Sequence, residues 1–282
     1  MSPVAGARPS LTDEEHQLLN EVLEQRFGLH YPEHRRGTLE MRLAPRIQEL
    51  HLSNFLDYYL LLQADSSEIQ RLATLATNNE TYFLRERHQF EALIAYLDQR
   101  SQTQPTITQG TRILCAGCSS GEEAYTISFY LQEHAHMPAG REVSIDAFDL
   151  DPVRVVMARR AAYRPRSLRE MGDADVRRLL DSDDPERYEV KQRYRTGVRF
   201  STGNIVDVSS YPRSRSYEIV FCRNVLIYFS QGGLQRAIDN FAQVLRPGGL
   251  LFLGHAESII GLSEHFETVR LSNCIAYRRV SA

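Results

Sequence analysis

From residue 111 to residue 278 the chain alternates short apolar runs with helical stretches, and this alternation constrains the fold more than any other feature. Residues 111–115 form a short apolar strand, 122–133 a helix, 143–148 a second strand, and 152–160 begin another helix. Residues 217–222 read as a buried strand and 234–245 as a helix. Residues 250–254 read as a further buried strand after the turn Arg246-Pro247-Gly248-Gly249. Residues 266–270 and 274–278 close the series as a hairpin. Strands separated by helices cannot pair through tight turns, so the class is α/β with a doubly wound, mostly parallel sheet. Residues 188–200 alternate with many charges and predict exposed antiparallel strands, hence a small antiparallel β-subdomain inserted at about 183–200.

Upstream the apolar period is that of helices. Residues 1–9 are rich in Pro, Gly and Ala and predict a disordered tail. Ser10 or Thr12 can cap a first helix, with Asp13 and Glu15 as capping-box partners. Leu18, Leu19, Val22, Leu23 and Phe27 then recur at helical spacing, and Gly28 predicts the stop. A second helix is expected over 38–50, with Pro45 predicting a kink or a late start. Ser53 would cap a third helix, and Ser66 or Ser67 a fourth. Residues 10–78 thus form an all-helical domain, and 79–282 a linker and a larger sheet domain that opens with a helix over 86–99 and a polar linker over 101–106.

The 282 residues carry a formal net charge of −3. That balance argues against a nucleic-acid binder, which needs a basic excess. Apolar runs stay far below the roughly 18 residues of a membrane span, and the N-terminus lacks an apolar signal core, so the expected location is cytoplasmic with no membrane insertion. Four cysteines are present, and Cys115 and Cys118 form a lone C-x-x-C. A redox pair and half a zinc site stand beside a structural reading, small buried residues where a strand ends in a tight turn. No second C-x-x-C or H-x3-H supplies further zinc ligands, and His134 and His136 lie in another local setting, so no metal is expected.

In a doubly wound sheet, ligands bind at the carboxyl ends of the strands. Directly after the first strand comes Cys115-Ala116-Gly117-Cys118-Ser119-Ser120-Gly121-Glu122-Glu123. Its small residues permit a sharp turn against a ligand. Its two acids would repel a pyrophosphate, so a cationic nucleoside such as S-adenosylmethionine fits better, although acids also simply complement a helix N-terminus. Asp149 closes the second strand, where a carboxylate can accept from both ribose hydroxyls. Asp151 precedes Pro152 and reads as an N-cap. Arg223 and Asn224 interrupt an apolar run where the fourth strand leaves the sheet, and Asn204 sits in a loop suited to adenine. Residues 77–85 join the two domains with more hydrogen-bonding side chains than a plain linker needs.

Together these residues resemble the CheR family, the chemotaxis receptor glutamate O-methyltransferases, over nearly the whole chain. The resemblance rests on N-x-T-x-F-x-R at Asn79, Thr81, Phe83 and Arg85, and on C-S-S-G-E-E at Cys118–Glu123. It rests also on Asp149 and Asp151, on F-C-R-N-V-x-I-Y-F at Phe221–Phe229, and on L-x-P-G-G-x-L-x-L-G-H-x-E at Leu245–Glu257. It implies the class I adenosylmethionine-dependent methyltransferase fold behind a small N-terminal helical domain. It implies S-adenosyl-L-methionine as cofactor and S-adenosyl-L-homocysteine as product. Cofactor contacts fall on Asn79, Thr81, Arg85, Glu123, Asp149, Asn204, Ile205, Cys222 and Arg223, and active-site side chains on Arg85 and Tyr228. The implied substrate is a set of glutamates on the cytoplasmic coiled coil of chemoreceptors. Arg35, Arg36, Arg42 and Arg46 are docking candidates on the second helix and its approach, with Glu33, Glu40 and Glu49 nearby. Two departures matter: the stretch Asp181–Tyr188 has no glycine in its turn, which argues against a tether on a receptor's C-terminal pentapeptide, and Pro45 stands in the second helix, which the resemblance implicates in receptor contact. A non-catalytic module that senses adenosylmethionine or its product is the alternative.

Overall fold

The computed structural model describes residues 9–103, 110–135, 143–212 and 217–280. The expected tail up to residue 8, residues 104–106 of the expected linker, and His136 lie outside the described residues. The chain divides into two compact units, one of Met1–Asn78 with Tyr228–Leu234, the other of Asn79–Ile227 with Gln235–Ala282.

The first unit is helical. Helix α1 (Asp13–Phe27) starts in a capping box: Thr12 accepts from the Glu15 amide while the Glu15 carboxylate accepts from Thr12. It stops at Gly28, whose φ of 73° is left-handed. Helix α2 (Arg36–Glu49) runs through Pro45. Pro45 is exposed, and so is Met41, whose carbonyl loses its helical donor there, so water can take that donor's place. Helix α3 (Phe55–Ala64) is capped by Asn54 rather than Ser53. Helix α4 (Ser66–Ala76) is capped by Asp65, one residue ahead of the expected serines. Leu19, Leu23, Leu39, Leu43, Phe55, Tyr58 and Leu72 form the buried interior.

The second unit begins with α5 (Arg87–Thr103), β1 (Thr111–Ala116), α6 (Glu122–His134), β2 (Val143–Asp149) and α7 (Pro152–Arg160). It continues through β3 (Ala162–Tyr163), α8 (Asp173–Leu179), β4 (Leu180–Asp184), β5 (Arg187–Val190), α9 (Gln192–Arg195), β6 (Val198–Thr202) and β7 (Tyr217–Cys222). Helix α10 (Gln231–Val244), which enters this unit at Gln235, is followed by β8 (Leu245–Leu253), β9 (Phe266–Leu271) and β10 (Cys274–Arg279), which complete it. The large sheet has the order β6-β2-β1-β7-β8-β10-β9. Its first five strands are parallel, and the β9–β10 hairpin adds antiparallel. The chain builds outward from β1 through β2 to β6, then returns to β7 on the other side. The reversal of strand order therefore falls between β1 and β7, which places a ligand cleft at their carboxyl ends. Phe221 and Phe252 stack at 4.6 Å between centroids in the core. Each is fully buried, contributing on the order of 2–3 kcal/mol.

The antiparallel sheet differs from expectation. It has the order β3-β5-β4 and recruits residues from 162 to 190. Residues 192–195 turn as a short helix, and 198–202 leave for the edge of the large sheet, parallel to β2. At this edge Arg199 is exposed between half-buried Val198 and Phe200, so the strand carries an alternation that resembles an antiparallel strand.

Candidate functional site

Three linked clusters lie at the carboxyl ends of β1, β2 and β7. The first centres on Asp149. Its carboxylate accepts the Ser119 amide at 2.7 Å and the Asp151 amide at 2.9 Å. Burial pushes its pKa up to about 6, although those two amides pull the other way. Asp151 caps α7 through the Val153 amide and accepts Asn79 Nδ2–H on its other oxygen at 3.1 Å. The Asn79 carbonyl in turn accepts the Ser119 hydroxyl at 3.3 Å. Asn79, Ser119, Asp149 and Asp151 thus close a ring around the glycine turn.

The second cluster centres on Arg223, whose side chain is 2% exposed. Its Nε–H donates to Glu123 at 2.6 Å and its Nη1–H to the Arg85 carbonyl at 2.9 Å. Its guanidinium carbon lies 4.7 Å from the Phe90 ring centroid. Glu86, 3.8 Å from Arg223, also accepts from His255 at 2.9 Å. Burial raises the Glu86 carboxyl, but the His255 hydrogen bond and the Arg223 charge outweigh it and hold the pKa below the ordinary value. Arg85 itself donates to the Glu80 carbonyl at 3.1 Å and lies beside Tyr82, in the turn over 83–86 that follows Thr81 and Tyr82.

The third cluster shapes the approach of backbone. Gly117 has φ +79°, and a Cβ there would meet Val225 Cγ2 at 2.7 Å and Ile205 Cδ1 at 3.6 Å. Only glycine lets the β1 turn pass so close. The Ile205 carbonyl accepts Tyr211 O–H and Asn240 Nδ2–H, while the Asn204 side chain accepts the Val206 amide. Cys222 is fully enclosed beneath.

Neither acid at the start of α6 stands alone. Glu122 turns inward to the hydroxyls of Ser120 and Ser167, and burial raises its pKa. Glu123 pairs with Arg223. The thiols of Cys115 and Cys118 are buried, and burial lifts both well above the ordinary range, so the C-x-x-C is the end of a core strand and its turn. Among the described residues no group of three or more His, Cys, Asp or Glu could hold a metal. No helix among them is long and apolar enough to cross a membrane.

One functional group escaped sequence reasoning. The Glu257 carboxylate accepts the amides of Asn224, Val225, Leu226, Ile227 and Gly254, at 2.6–3.3 Å. Burial raises its pKa and the amides of Gly254, Asn224, Leu226 and Val225 lower it, with burial prevailing. Gly254 makes room: a Cβ there would meet Asn224 Nδ2 at 2.6 Å and Glu257 Oε2 at 2.9 Å. The signal was an acid three residues beyond a glycine at a strand end, visible only as part of a motif.

The helical unit holds the remaining candidates. Tyr228 accepts Asn78 Nδ2–H on its hydroxyl at 2.6 Å, with the Arg35 guanidinium 5.0 Å from its ring centroid. Arg36 donates to the Leu11 carbonyl and pairs with Asp13 and Glu33. Arg42 donates to Tyr31 Oη and to the carbonyls of Ala76 and Thr77. Arg46 grips Glu68 at 2.6 and 3.0 Å and also pairs with Glu49.

The residues fit the ribose of a nucleoside: a buried carboxylate with lone pairs to spare suits its two hydroxyls. Residues 79–275 match the family model "CheR methyltransferase, SAM binding domain" and residues 14–77 match "CheR methyltransferase, all-alpha domain". The chain is 30% identical over 270 residues to chemotaxis protein methyltransferase 2 of Vibrio cholerae, covering 95% of this chain and 93% of that one. It is 30% identical over 264 residues to the chemotaxis protein methyltransferase of Escherichia coli, covering 92% and 89%. It is 28% identical over 279 residues to chemotaxis protein methyltransferase 1 of Pseudomonas aeruginosa, covering 95% and 99%.

Proposed function

The chain belongs to the CheR methyltransferase family and carries its S-adenosyl-L-methionine-binding domain, and from that premise we propose that it methylates glutamate side chains of chemoreceptors in the cytoplasm. The observation that carries this reading is the Asp149 ring at the end of β2, inside the segment that matches the cofactor-binding domain.

When bound, S-adenosyl-L-methionine supplies an electrophilic methyl group and leaves as S-adenosyl-L-homocysteine. Asp149 accepts the ribose hydroxyls on the lone pairs that Ser119 and Asp151 do not use. Asn79, Thr81, Arg85, Glu123, Asn204, Ile205, Cys222 and Arg223 line the remainder, as the family resemblance implies. Arg223 acts through position rather than free charge, because Glu123 already neutralises it. A glutamate carboxylate titrates near 4.3 and is ionised at neutral pH, so the reaction needs no general base. The chain must align the carboxylate and exclude water, and orientation alone can supply roughly 7–11 kcal/mol. Tyr228 donates its hydroxyl proton to the non-attacking oxygen and Arg85 attracts the anion. A single contact leaves the attacking oxygen nucleophilic, whereas a bidentate grip would blunt it. The product is a neutral ester, so each turnover removes one negative charge from the receptor helix.

The receptor's coiled coil is the proposed partner of the helical unit, with Arg35 as its leading contact. Arg36, Arg42 and Arg46 join the docking face while also bonding within the unit. Incubation with methyl-labelled cofactor and receptor-bearing membranes tests the reading. Base-labile label on the receptor supports a carboxyl ester; base-stable label, or none on any receptor, refutes it.

A further inference from the structure

Tyr228 is held at three points within the helical unit. Its carbonyl accepts the His30 amide at 2.9 Å, beside an isolated antiparallel bridge between Leu29 and Phe229. Its ring lies under the Arg35 guanidinium, and its hydroxyl accepts Asn78 Nδ2–H at 2.6 Å. The hydroxyl contact sets a direction. Conjugation keeps a phenolic O–H near the ring plane, so its proton has two favoured orientations. A donor seated on one side takes the in-plane lone pair there and turns the proton to the opposite side. Accepting that bond also makes the O–H a stronger donor.

Among the described residues the Asn78 side chain makes no other hydrogen bond. Helix α4 ends at Ala76, its last turn closed by the Thr77 amide on the Ala73 carbonyl, and Asn78 is exposed. Arg42 fixes the segment that carries it by donating to the carbonyls of Ala76 and Thr77 at 3.1 and 2.7 Å. We propose that Asn78 is a positioning residue for methyl transfer, which orients the Tyr228 proton toward the substrate carboxylate. The proposal rests on the role given to Tyr228 above.

The polarity of position 78 is the test. In full-length protein with receptor-bearing membranes, Tyr228→Phe lowers kcat roughly 100-fold and leaves cofactor affinity unchanged. Asn78→Ala lowers kcat roughly tenfold with the same unchanged affinity. Asn78→Asp keeps size and shape but accepts instead of donating, so it captures the tyrosine proton and matches the loss of Tyr228→Phe. In the Tyr228→Phe background neither substitution at 78 has any further effect. Full activity in Asn78→Asp overturns the proposal, as does a loss that adds to that of Tyr228→Phe. Full activity in Tyr228→Phe itself removes the role of Tyr228, and the proposal falls with it.

Discussion

Both units hold backbone with charged side chains of either sign, but arginines stand out in the helical unit and carboxylates at the strand ends. In the helical unit, guanidinium groups collect backbone carbonyls: Arg36 takes that of Leu11, and Arg42 those of Ala76 and Thr77. In the sheet unit, carboxylates collect backbone amides: Asp149 takes two, and Glu257 takes five. The difference follows from the elements. The segment that leaves α4 at Ala76 and Thr77 ends in carbonyls without helical donors, which a long cationic side chain can reach, while the Leu11 carbonyl lies just ahead of α1. Loops that leave parallel strands turn into helix N-termini and offer unpaired amides, which short acids can gather. An arginine-rich helix is thus in large part cohesive, and acids at strand ends shape the loops that meet a ligand.

Substitutions can break this comparison. The largest effect is expected at Asp149. Asp149→Ala removes the ribose acceptor and releases two amides, and calorimetry should show cofactor affinity falling roughly 100-fold. Native affinity would place the ribose elsewhere. Glu257→Gln keeps the shape but turns an amide donor toward backbone donors. A loss of about 2–4 kcal/mol is expected, read as a Tm lower by roughly 5–10 °C. An unchanged melt would mean that the loop after β7 holds itself.

Arg46→Ala sharpens the other side. Glu68 is 4% exposed and would be left with the Tyr58 hydroxyl as its side-chain partner. A loss of about 1–3 kcal/mol in denaturant unfolding is expected. Unchanged stability with weaker receptor turnover would mark Arg46 as a docking group alone. The smallest effect is a pH dependence. The Asp149 carboxyl titrates at about 6 in the folded chain against an ordinary 3.8. Its contribution to the stability of the unliganded protein is therefore full below pH 4 and lost as pH rises through about 6. Ribose hydroxyls favour the ionised form, so cofactor affinity should fall roughly tenfold at one pH unit below that value. A flat profile would mean that Asp149 does not bind in its ionised form.

Much of the parallel core was legible because buried parallel strands are continuous apolar runs: residues 217–222 were expected and Tyr217–Cys222 is the strand. The Thr12–Glu15 box and the Asp151 cap were legible because capping chemistry is local. Strand partners were not. The edge strand Val198–Thr202 carries the alternation of an antiparallel strand, and nothing local says that it pairs with β2. Arginines 36, 42 and 46 read as a docking face because their acceptors lie up to 35 residues away in the chain. Glu257 was hidden for the same reason, since its amides come from 30 to 33 residues earlier apart from that of Gly254.

The most direct test of the account maps the modified atom. Receptor fragments incubated with the protein and cofactor are digested and sequenced by mass spectrometry. A methyl group on glutamate side-chain carboxyls of the helical region is predicted with the native chain, and none with Asp149→Ala. Methyl groups on lysine, arginine or histidine nitrogens, or equal modification by both proteins, would contradict it.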